Sequence, residues 1–241
     1  KTLKKWNGKL IEPKYTKNIS SEFIKKKMNE IGTTPDIRRE KLRRLLNAKK
    51  IVRIIEAHNP LTGLIVENTK YIKGENYFEF DGMWSSSLTD SAIRGRPDNQ
   101  AVDYSTRIDA LNEILDVTTK PIIFDADNGG RIEHLPYLIK KLERTGVSAV
   151  VFEDKIGLKK NSLFKNQKDT KQDSIKEFCK KIKKAQNSKI SDDLLIVARI
   201  ESFILGKGIN DALKRAEEYS KAGADAILIH SKEKNPKQIF S

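Results

Sequence analysis

Three acidic residues follow apolar segments that have the composition of buried β-strands. Asp125 and Asp127 stand near the end of the segment KPIIFDADNGG, and Glu153 ends the run AVVFE. Carboxylates buried close together repel one another, and a hard divalent cation would relieve that repulsion. Oxygen ligands favour Mg²⁺, whereas no set of cysteines and histidines has the spacing of a zinc site. The alternative is that the two aspartates cap a helix and pair with a lysine.

Cationic and polar residues end other apolar segments. Arg199 precedes Glu201 in IVARIES, and His230 ends the run AILIH. An arginine beside a carboxylate can be purely structural, but next to a metal site it would clamp a carboxylate or phosphoryl group. His230 is predicted to act at the same place. We expect His58 to be structural or to support the site indirectly, and His134 to have no functional role.

The segment EDKIGLKKNSLF follows the run that ends at Glu153. It carries Lys159, Lys160, Asn161 and Ser162 and is too polar to be part of a core. A solvated surface loop is one interpretation. The other is a lid that brings lysine and asparagine donors onto an anionic group.

Six apolar segments, separated by amphipathic helices, are predicted to position these groups. The predicted strands are Ile51–Ala57, Tyr77–Trp84, Pro121–Ala126, Ala149–Glu153, Leu194–Ile200 and Ala226–His230. Strands alternating with helices form parallel sheets with right-handed crossovers. Because every predicted strand ends in polar residues, a (β/α)8 TIM-type barrel is favoured over a doubly wound sheet, whose site lies at one switch point. Neither GxGxxG nor GxxxxGK[ST] occurs in the chain.

One domain boundary follows from this pattern. Residues 1–36 are polar, lysine-rich and weakly periodic, and are predicted to be an N-terminal extension or linker. Residues 37–241 are predicted to form the barrel domain, which is incomplete at its C-terminus because only six strands occur. We therefore expect the last two βα units to be missing, and the 241 residues to be a portion of a longer polypeptide.

The composition limits which binding partners and which cellular location we expect. The formal net charge of +14 makes a basic nucleic-acid-binding protein the alternative from a different functional class. The lysines are spread along the chain, however, and the densest runs mix them with apolar residues, as on solvated helix faces or around an anionic substrate. We expect no nucleic acid and no membrane as partners. A single cysteine and the absence of an apolar signal segment predict a cytoplasmic location.

The ordered motifs resemble those of one enzyme family. EDKIGLKKNS resembles the E-D-K-x-x-x-K-x-N-S motif of phosphoenolpyruvate mutases, in the isocitrate lyase/phosphoenolpyruvate mutase superfamily. EAHNPLTGLIVE, MWSSSL, DADNGG, VARIESFI and GADAILIHSK resemble the remaining family segments in the same order. The resemblance runs from about residue 37 to the end. It implies Mg²⁺-dependent interconversion of phosphoenolpyruvate and phosphonopyruvate, which forms a C–P bond for phosphonate biosynthesis, by a dimer or tetramer.

The resemblance also assigns roles to individual residues. The implied catalytic residues are Asp98, Lys159, Asn161, Arg199 and His230. The implied substrate-binding residues are Trp84, Ser86, Ser87, Leu88, Ser162 and Glu201, with backbone amides contributing near Ser86, Ser87 and Leu88. The implied Mg²⁺ ligands are Asp125, Asp127 and Glu153.

Two comparisons within the superfamily refine this hypothesis. The C–C lyases carry a cysteine in the lid, and this chain has none there. Phosphonopyruvate hydrolases tend to have threonine at the position of Asn161, so the mutase is preferred and the hydrolase is the alternative. Ser85 and Ser87 replace glycines of the family segment W-G-S-G-L, and would strain the loop if either position required a positive φ.

Overall fold

A parallel sheet forms the centre of the protein. The computed structural model describes residues 33–157, 159–162, 170–235 and 239. The strands are β1 (Ile54–Glu56), β2 (Lys70–Lys73), β3 (Asn76–Glu79), β4 (Gly82–Ser85), β5 (Ile122–Asp125), β6 (Ala149–Glu153), β7 (Lys155–Ile156), β8 (Lys171–Gln172), β9 (Leu195–Ile200) and β10 (Ala226–Ile229). The helices are α1 (Pro35–Ala48), α2 (Pro60–Asn68), α3 (Ser87–Ala92), α4 (Tyr104–Val117), α5 (Leu135–Thr145), α6 (Ile175–Gln186) and α7 (Gly208–Lys221).

The order of the strands distinguishes the two predicted architectures. The main sheet has the order β1-β4-β5-β6-β9-β10, and every neighbouring pair is parallel. Each strand of the main sheet therefore pairs with the next main-sheet strand along the chain, and the order never reverses. A doubly wound sheet requires a reversal at its switch point. The six main-sheet strands, arranged in chain order, form part of the wall of a (β/α) barrel.

One predicted strand is wrong. The segment Tyr77–Trp84 contains two strands, because β3 pairs with β2 in an antiparallel hairpin and only β4 belongs to the main sheet. The β-structure is interrupted at Asp81, whose carboxylate accepts a hydrogen bond of 2.7 Å from the backbone N–H of Arg53. An acid that binds the backbone in this way ends a strand locally, although the residues on both sides favour β-structure.

Apolar residues of the sheet are buried on both faces. In β6, Val150 and Phe152 pack in the large core between the sheet and its helices, while Ala149 and Val151 pack on the opposite face with Leu42 of α1. This arrangement explains why the strands are almost continuously apolar rather than alternating. Helix α1 thus covers the barrel interior from the end of the sheet opposite to Asp125 and Glu153.

The limits of the domain are as follows. The compact unit that contains the sheet spans Thr33–Ser241, and α1 begins at Pro35. The predicted extension, residues 1–36, lies almost wholly outside the described residues and stays a prediction. No helix in the described part of the chain is long and apolar enough to cross a membrane.

Arg38 fastens α1 to the chain that leads into β5. Its guanidinium is buried and donates hydrogen bonds to the carbonyls of Leu115 (2.8 Å), Thr118 and Lys120 (2.9 Å). Burial lowers the pKa of Arg38 to about 10, although Glu67 acts in the opposite direction. The side chain satisfies carbonyls that would otherwise lie buried without a donor.

We predict that Arg38→Ala destabilises the protein by about 3 kcal/mol, because it leaves several buried carbonyls without a partner. Urea unfolding monitored by circular dichroism measures this change. Arg44→Ala is the matched control, since Arg44 lies on the same helix with an exposed side chain and its ion-pair partner within the described part of the chain is Glu40. That variant should change stability by less than about 0.5 kcal/mol. Equal effects of the two substitutions would contradict the role given to Arg38.

Candidate active site

The carboxyl ends of the strands meet at one edge of the sheet. Glu153 at the end of β6 is in register with Arg199 of β9, and Asp125 at the end of β5 is in register with Val151. Above this edge lies a cavity of about 140 Å³. Its lining residues are Trp84, Ser86, Ser87, Leu88, Asp98, Asp125, Lys159, Asn161, Ser162, Arg199 and His230. The structure thus brings these predicted site residues around one small space, with Asp127, Glu153 and Glu201 in contact with them.

Asp125 and Asp127 are buried and held by different partners. Asp125 Oδ1 accepts the backbone N–H of Asp127 at 2.9 Å, and Oδ2 accepts the hydroxyl of Ser87 at 3.2 Å. Burial opposes ionisation of Asp125, but Lys159 and Arg199 hold its pKa below the usual range. Burial and the neighbouring Asp125 raise the pKa of Asp127. The pair therefore has one carboxylate that is readily ionised and one whose charge depends on nearby cations.

Residues 159–162, here named the lid segment, reach over this pair. The ammonium of Lys159 donates to Asp98 Oδ1 at 2.8 Å, and also to Asp127 and the hydroxyl of Ser87. Asn161 Nδ2 donates to Asp98 Oδ2 at 3.2 Å. Burial would lower the pKa of Lys159, but the surrounding carboxylates raise it above its ordinary value. The lid segment therefore places the positive charge of Lys159 next to the carboxylates of Asp98 and Asp127.

A second group of polar residues lies across the cavity. Arg199 Nε donates to Glu201 Oε1 at 2.6 Å, and its Nη2 lies 2.7 Å from His230 Nδ1. Ser162 Oγ donates to Glu201 Oε2 at 2.7 Å. Burial opposes ionisation of Glu201, but its hydrogen bond with His230 and the charge of Arg199 hold its pKa well below the usual range. Glu201 is thus an anionic anchor that orients the cationic and hydroxyl groups around it.

Glu153 has an incomplete set of partners. Its Oε2 is buried, has no hydrogen-bond donor among the described residues and lies 3.4 Å from Nη2 of Arg199. Its Oε1 lies 3.6 Å from Nζ of Lys155. Burial raises the pKa of Glu153 to about 7. A buried carboxylate oxygen without a donor is suited to accept a cation or a water bound to one.

The carboxylates also test the predicted metal site. In the ranges 33–157, 159–162 and 170–235, no three acidic, histidine or cysteine side chains are arranged to hold one metal ion as they stand. Mg²⁺ commonly takes one or two protein carboxylates together with waters and substrate oxygens. One or two of the carboxylates of Asp125, Asp127 and Glu153 would satisfy that requirement. A site completed by ligand and water is compatible with this donor set, and the three predicted ligands stay a prediction.

Sequence reasoning did not assign a role to Lys155. This buried lysine donates to the hydroxyl of Ser162 at 2.7 Å and to the carbonyl of Lys160 at 3.0 Å, and lies 3.5 Å from Glu201. It therefore holds the lid segment from below. The motif EDK places it two residues after Glu153, so its position was visible in the sequence, but its side-chain direction was not.

Arg107 was missed as well, and no sequence signal identifies it. From α4 it donates to Asp90 Oδ2 at 2.9 Å and to the carbonyl of Asp125 at 2.6 Å, and it lies 3.6 Å from Asp127. Its guanidinium also stacks over the ring of Phe124 at 4.3 Å from the ring centre. Arg107 supplies a permanent counter-charge beneath the two aspartates.

The serines in place of family glycines cause no backbone strain. Apart from glycines, the described residues with positive φ are Gln100 (66°) and Asp127 (52°). Ser85 lies in β4 and Ser87 begins α3, both in ordinary conformations. The reshaping that a positive φ would have required at these positions is therefore absent.

Known proteins share both the sequence pattern and the fold. The family profile described as "Phosphoenolpyruvate phosphomutase" matches residues 42–241. The chain is 41% identical over 201 residues to the phosphoenolpyruvate phosphomutase of Tetrahymena pyriformis, which covers 82% of this chain and 63% of that protein. It is 34% identical over 203 residues to the phosphonopyruvate hydrolase of Variovorax sp. (strain Pal2), covering 83% of this chain and 66% of that protein. The chain thus spans slightly less than two thirds of the length of these relatives.

A solved structure supports the assignment of the fold. The crystal structure of the phosphoenolpyruvate phosphomutase from Streptomyces platensis subsp. rosaceus superposes with a TM-score of 0.76 at 33% identity, covering 86% of this chain and 67% of that one. The predicted partial (β/α) barrel is confirmed by this similarity and by the strand order.

We predict that Glu153→Gln stabilises the metal-free protein at neutral and alkaline pH. The carboxyl has a pKa of about 7 in the folded protein against an ordinary value of 4.5, so the wild type loses stability as the pH rises from 4.5 to 7. Glutamine cannot ionise and avoids this loss, which amounts to roughly 3 kcal/mol at about 1.4 kcal/mol per pKa unit.

Urea unfolding in EDTA at pH 5 and pH 8 measures the difference. The variant should gain stability over the wild type mainly at pH 8. A gain of the same size at both values would show that the effect comes from packing rather than from ionisation.

Proposed function

The chain belongs to the phosphoenolpyruvate phosphomutase family, and from this premise we propose that it interconverts phosphoenolpyruvate and phosphonopyruvate with Mg²⁺ as cofactor. The observation that carries the proposal is the small cavity under the lid segment, with cationic and polar donors on one side and carboxylates on the other. A cavity of about 140 Å³ suits a compact anion of this kind. Migration of a phosphoryl group between oxygen and carbon needs positioning and charge stabilisation more than covalent chemistry.

In the proposed reaction, the P–O bond of phosphoenolpyruvate breaks and a P–C bond to the methylene carbon forms. Arg199 and His230 lie together at the cavity wall, where they would grip the phosphoryl group while it migrates. Asn161 would donate to the same group from the lid segment. These donors would stabilise the charge that spreads over the phosphoryl oxygens in a loose transition state.

The acids would serve the other part of the substrate. Asp125, Asp127 and Glu153 would hold Mg²⁺, which when bound supplies the positive charge that stabilises an enolate. The backbone amides near Ser86, Ser87 and Leu88 would bind the carboxylate. Asp98 would either keep Lys159 in place or take a nucleophilic role.

Exclusion of water is the second requirement. A phosphoryl group in transit reacts with water, so an open site would release phosphate instead of forming the isomer. Lys155 and Glu201 both bind Ser162, and Asp98 binds Lys159 and Asn161. These contacts support a lid segment that closes over the cavity.

The second candidate function is hydrolysis of phosphonopyruvate. It is favoured by the 34% identity to the hydrolase of Variovorax, since both activities would use the same carboxylates and cations. Carbon–carbon bond cleavage is a third activity among the relatives, which include a 2,3-dimethylmalate lyase of Eubacterium barkeri at 30% identity. Among these we prefer the mutase because of Asn161 and the absence of a cysteine in the lid region of the sequence.

Two other expectations stay predictions. The proposed assembly is a homodimer or homotetramer, by analogy with the resemblance described for the sequence. A cytoplasmic location likewise stays a prediction.

The proposed activity is tested by incubating the protein with phosphonopyruvate and Mg²⁺ and following the reaction by phosphorus NMR. The mutase forms phosphoenolpyruvate, and chelation of Mg²⁺ should stop its formation. Free phosphate as the only product would establish the hydrolase. If the intact protein does not turn over phosphonopyruvate, both proposed activities are wrong.

We further predict that Asn161→Ala lowers kcat/KM for phosphoenolpyruvate formation at least 100-fold and raises the share of free phosphate. The substitution removes a donor to the phosphoryl group and a contact between the lid segment and Asp98. The expected loss of kcat/KM lies in the range for removal of one transition-state donor, roughly 10²–10³-fold. Lys160→Ala is the control, because the Lys160 side chain does not line the cavity. Unchanged product ratios in the Asn161 variant would contradict its assigned role.

A further inference from the structure

Ser87 occupies an unusual place between the lid segment and the metal-site acids. Its side chain is buried, with 3% of the residue exposed, at the first turn of α3. The hydroxyl donates to Asp125 Oδ2 at 3.2 Å and accepts a hydrogen bond from the ammonium of Lys159. The role implied for this position by the sequence was confined to its backbone amide, so the side chain has no assigned function.

The direction of these hydrogen bonds is determined by their chemistry. An ammonium can only donate, and an ionised carboxylate can only accept. The hydroxyl must therefore accept a hydrogen bond from Lys159 and donate one to Asp125. In such a chain each hydrogen bond polarises the next. Glycine or alanine at position 87 has no hydroxyl, so neither residue could link Lys159 to Asp125 by hydrogen bonds.

The same ammonium has two carboxylate partners that it shares with other groups. Asp98 also binds Asn161, and Asp127 also faces Arg107. Ser87 differs from them because it is neutral and fixed on a helix, so it orients the lysine without adding charge. Ser87, Asp98 and Lys159 all line the cavity, so the contacts of Lys159 hold the lid segment against the cavity wall.

We propose that Ser87 is a positioning residue that holds Lys159, and with it the lid segment, closed over the acids in the protein without substrate. The hydroxyl adds one hydrogen bond with a charged partner that must break each time the lid segment opens. This proposal concerns the protein alone and does not depend on which reaction the site catalyses.

Limited proteolysis with trypsin tests the proposal, because the bonds after Lys159 and Lys160 are protected while the lid segment is closed. When opening and closing are fast, cleavage follows the population of the open form. Ser87→Ala should raise the initial rate of cleavage at these two bonds roughly ten-fold, the size expected for loss of one hydrogen bond with a charged group. Mass spectrometry identifies the bonds that are cut.

Two controls separate this effect from a general loosening of the fold. Ser85→Ala changes an equally buried serine of β4 that is not among the hydrogen-bond partners of Lys159 in the described chain, and it should leave the rate unchanged. In a Lys159→Gln background, Ser87→Ala should add little to cleavage after Lys160, because the two groups act through one contact.

An equal acceleration by Ser87→Ala in the wild type and in the Lys159→Gln background would overturn the proposal, since the hydroxyl would then act through the fold. An unchanged rate in the single variant would overturn it as well. Urea unfolding of each variant verifies that it is folded, and Ser87→Thr, which keeps the hydroxyl, should restore slow cleavage.

Discussion

Buried carboxylates need counter-charges, and this constraint organises the end of the barrel that carries the site. Buried acids and bases share this region. The acids include Asp125, Asp127, Glu153 and Glu201, and the bases include Arg107, Lys155, Lys159 and Arg199. An uncompensated charge in such surroundings costs several kcal/mol. The bases come from a helix, from strand ends and from the lid segment, so the balance of charge also fixes how these elements meet.

The two ends of the barrel use polar groups for different purposes. At the end away from the cavity, charged side chains mainly bind the backbone: Glu67 accepts from the N–H groups of Thr119 and Lys120, and Glu143 from those of Ile190 and Ser191. Such contacts satisfy loop backbone and stabilise the fold. At the cavity end, charged side chains mainly bind one another, which leaves them able to exchange a partner for a ligand. This division is typical of barrel enzymes.

Much of the site could be predicted because strand register places residues reliably. Asp125, Glu153 and Arg199 follow from the strands alone, since parallel strands end at the same edge. Arg107 could not be predicted in this way, because only tertiary packing brings α4 beneath the aspartates. The side-chain contacts of Lys155 and Ser87 depend on the path of the lid segment, which local sequence does not determine. The hairpin of β2 and β3 was missed because the residues on both sides of Asp81 have strand-forming character.

The backbone at Asp127 has a consequence for any study of the acids by mutation. Its φ of 52° is a left-handed conformation, which aspartate and asparagine tolerate better than other residues with a side chain. Alanine at this position would therefore remove the carboxylate and strain the backbone at the same time, so one measurement would contain both effects. Asparagine removes the charge while keeping the conformation. At Asp125, which ends β5 with regular geometry, alanine and asparagine report on the side chain alone. The two neighbouring aspartates thus require different substitutions before their contributions can be compared.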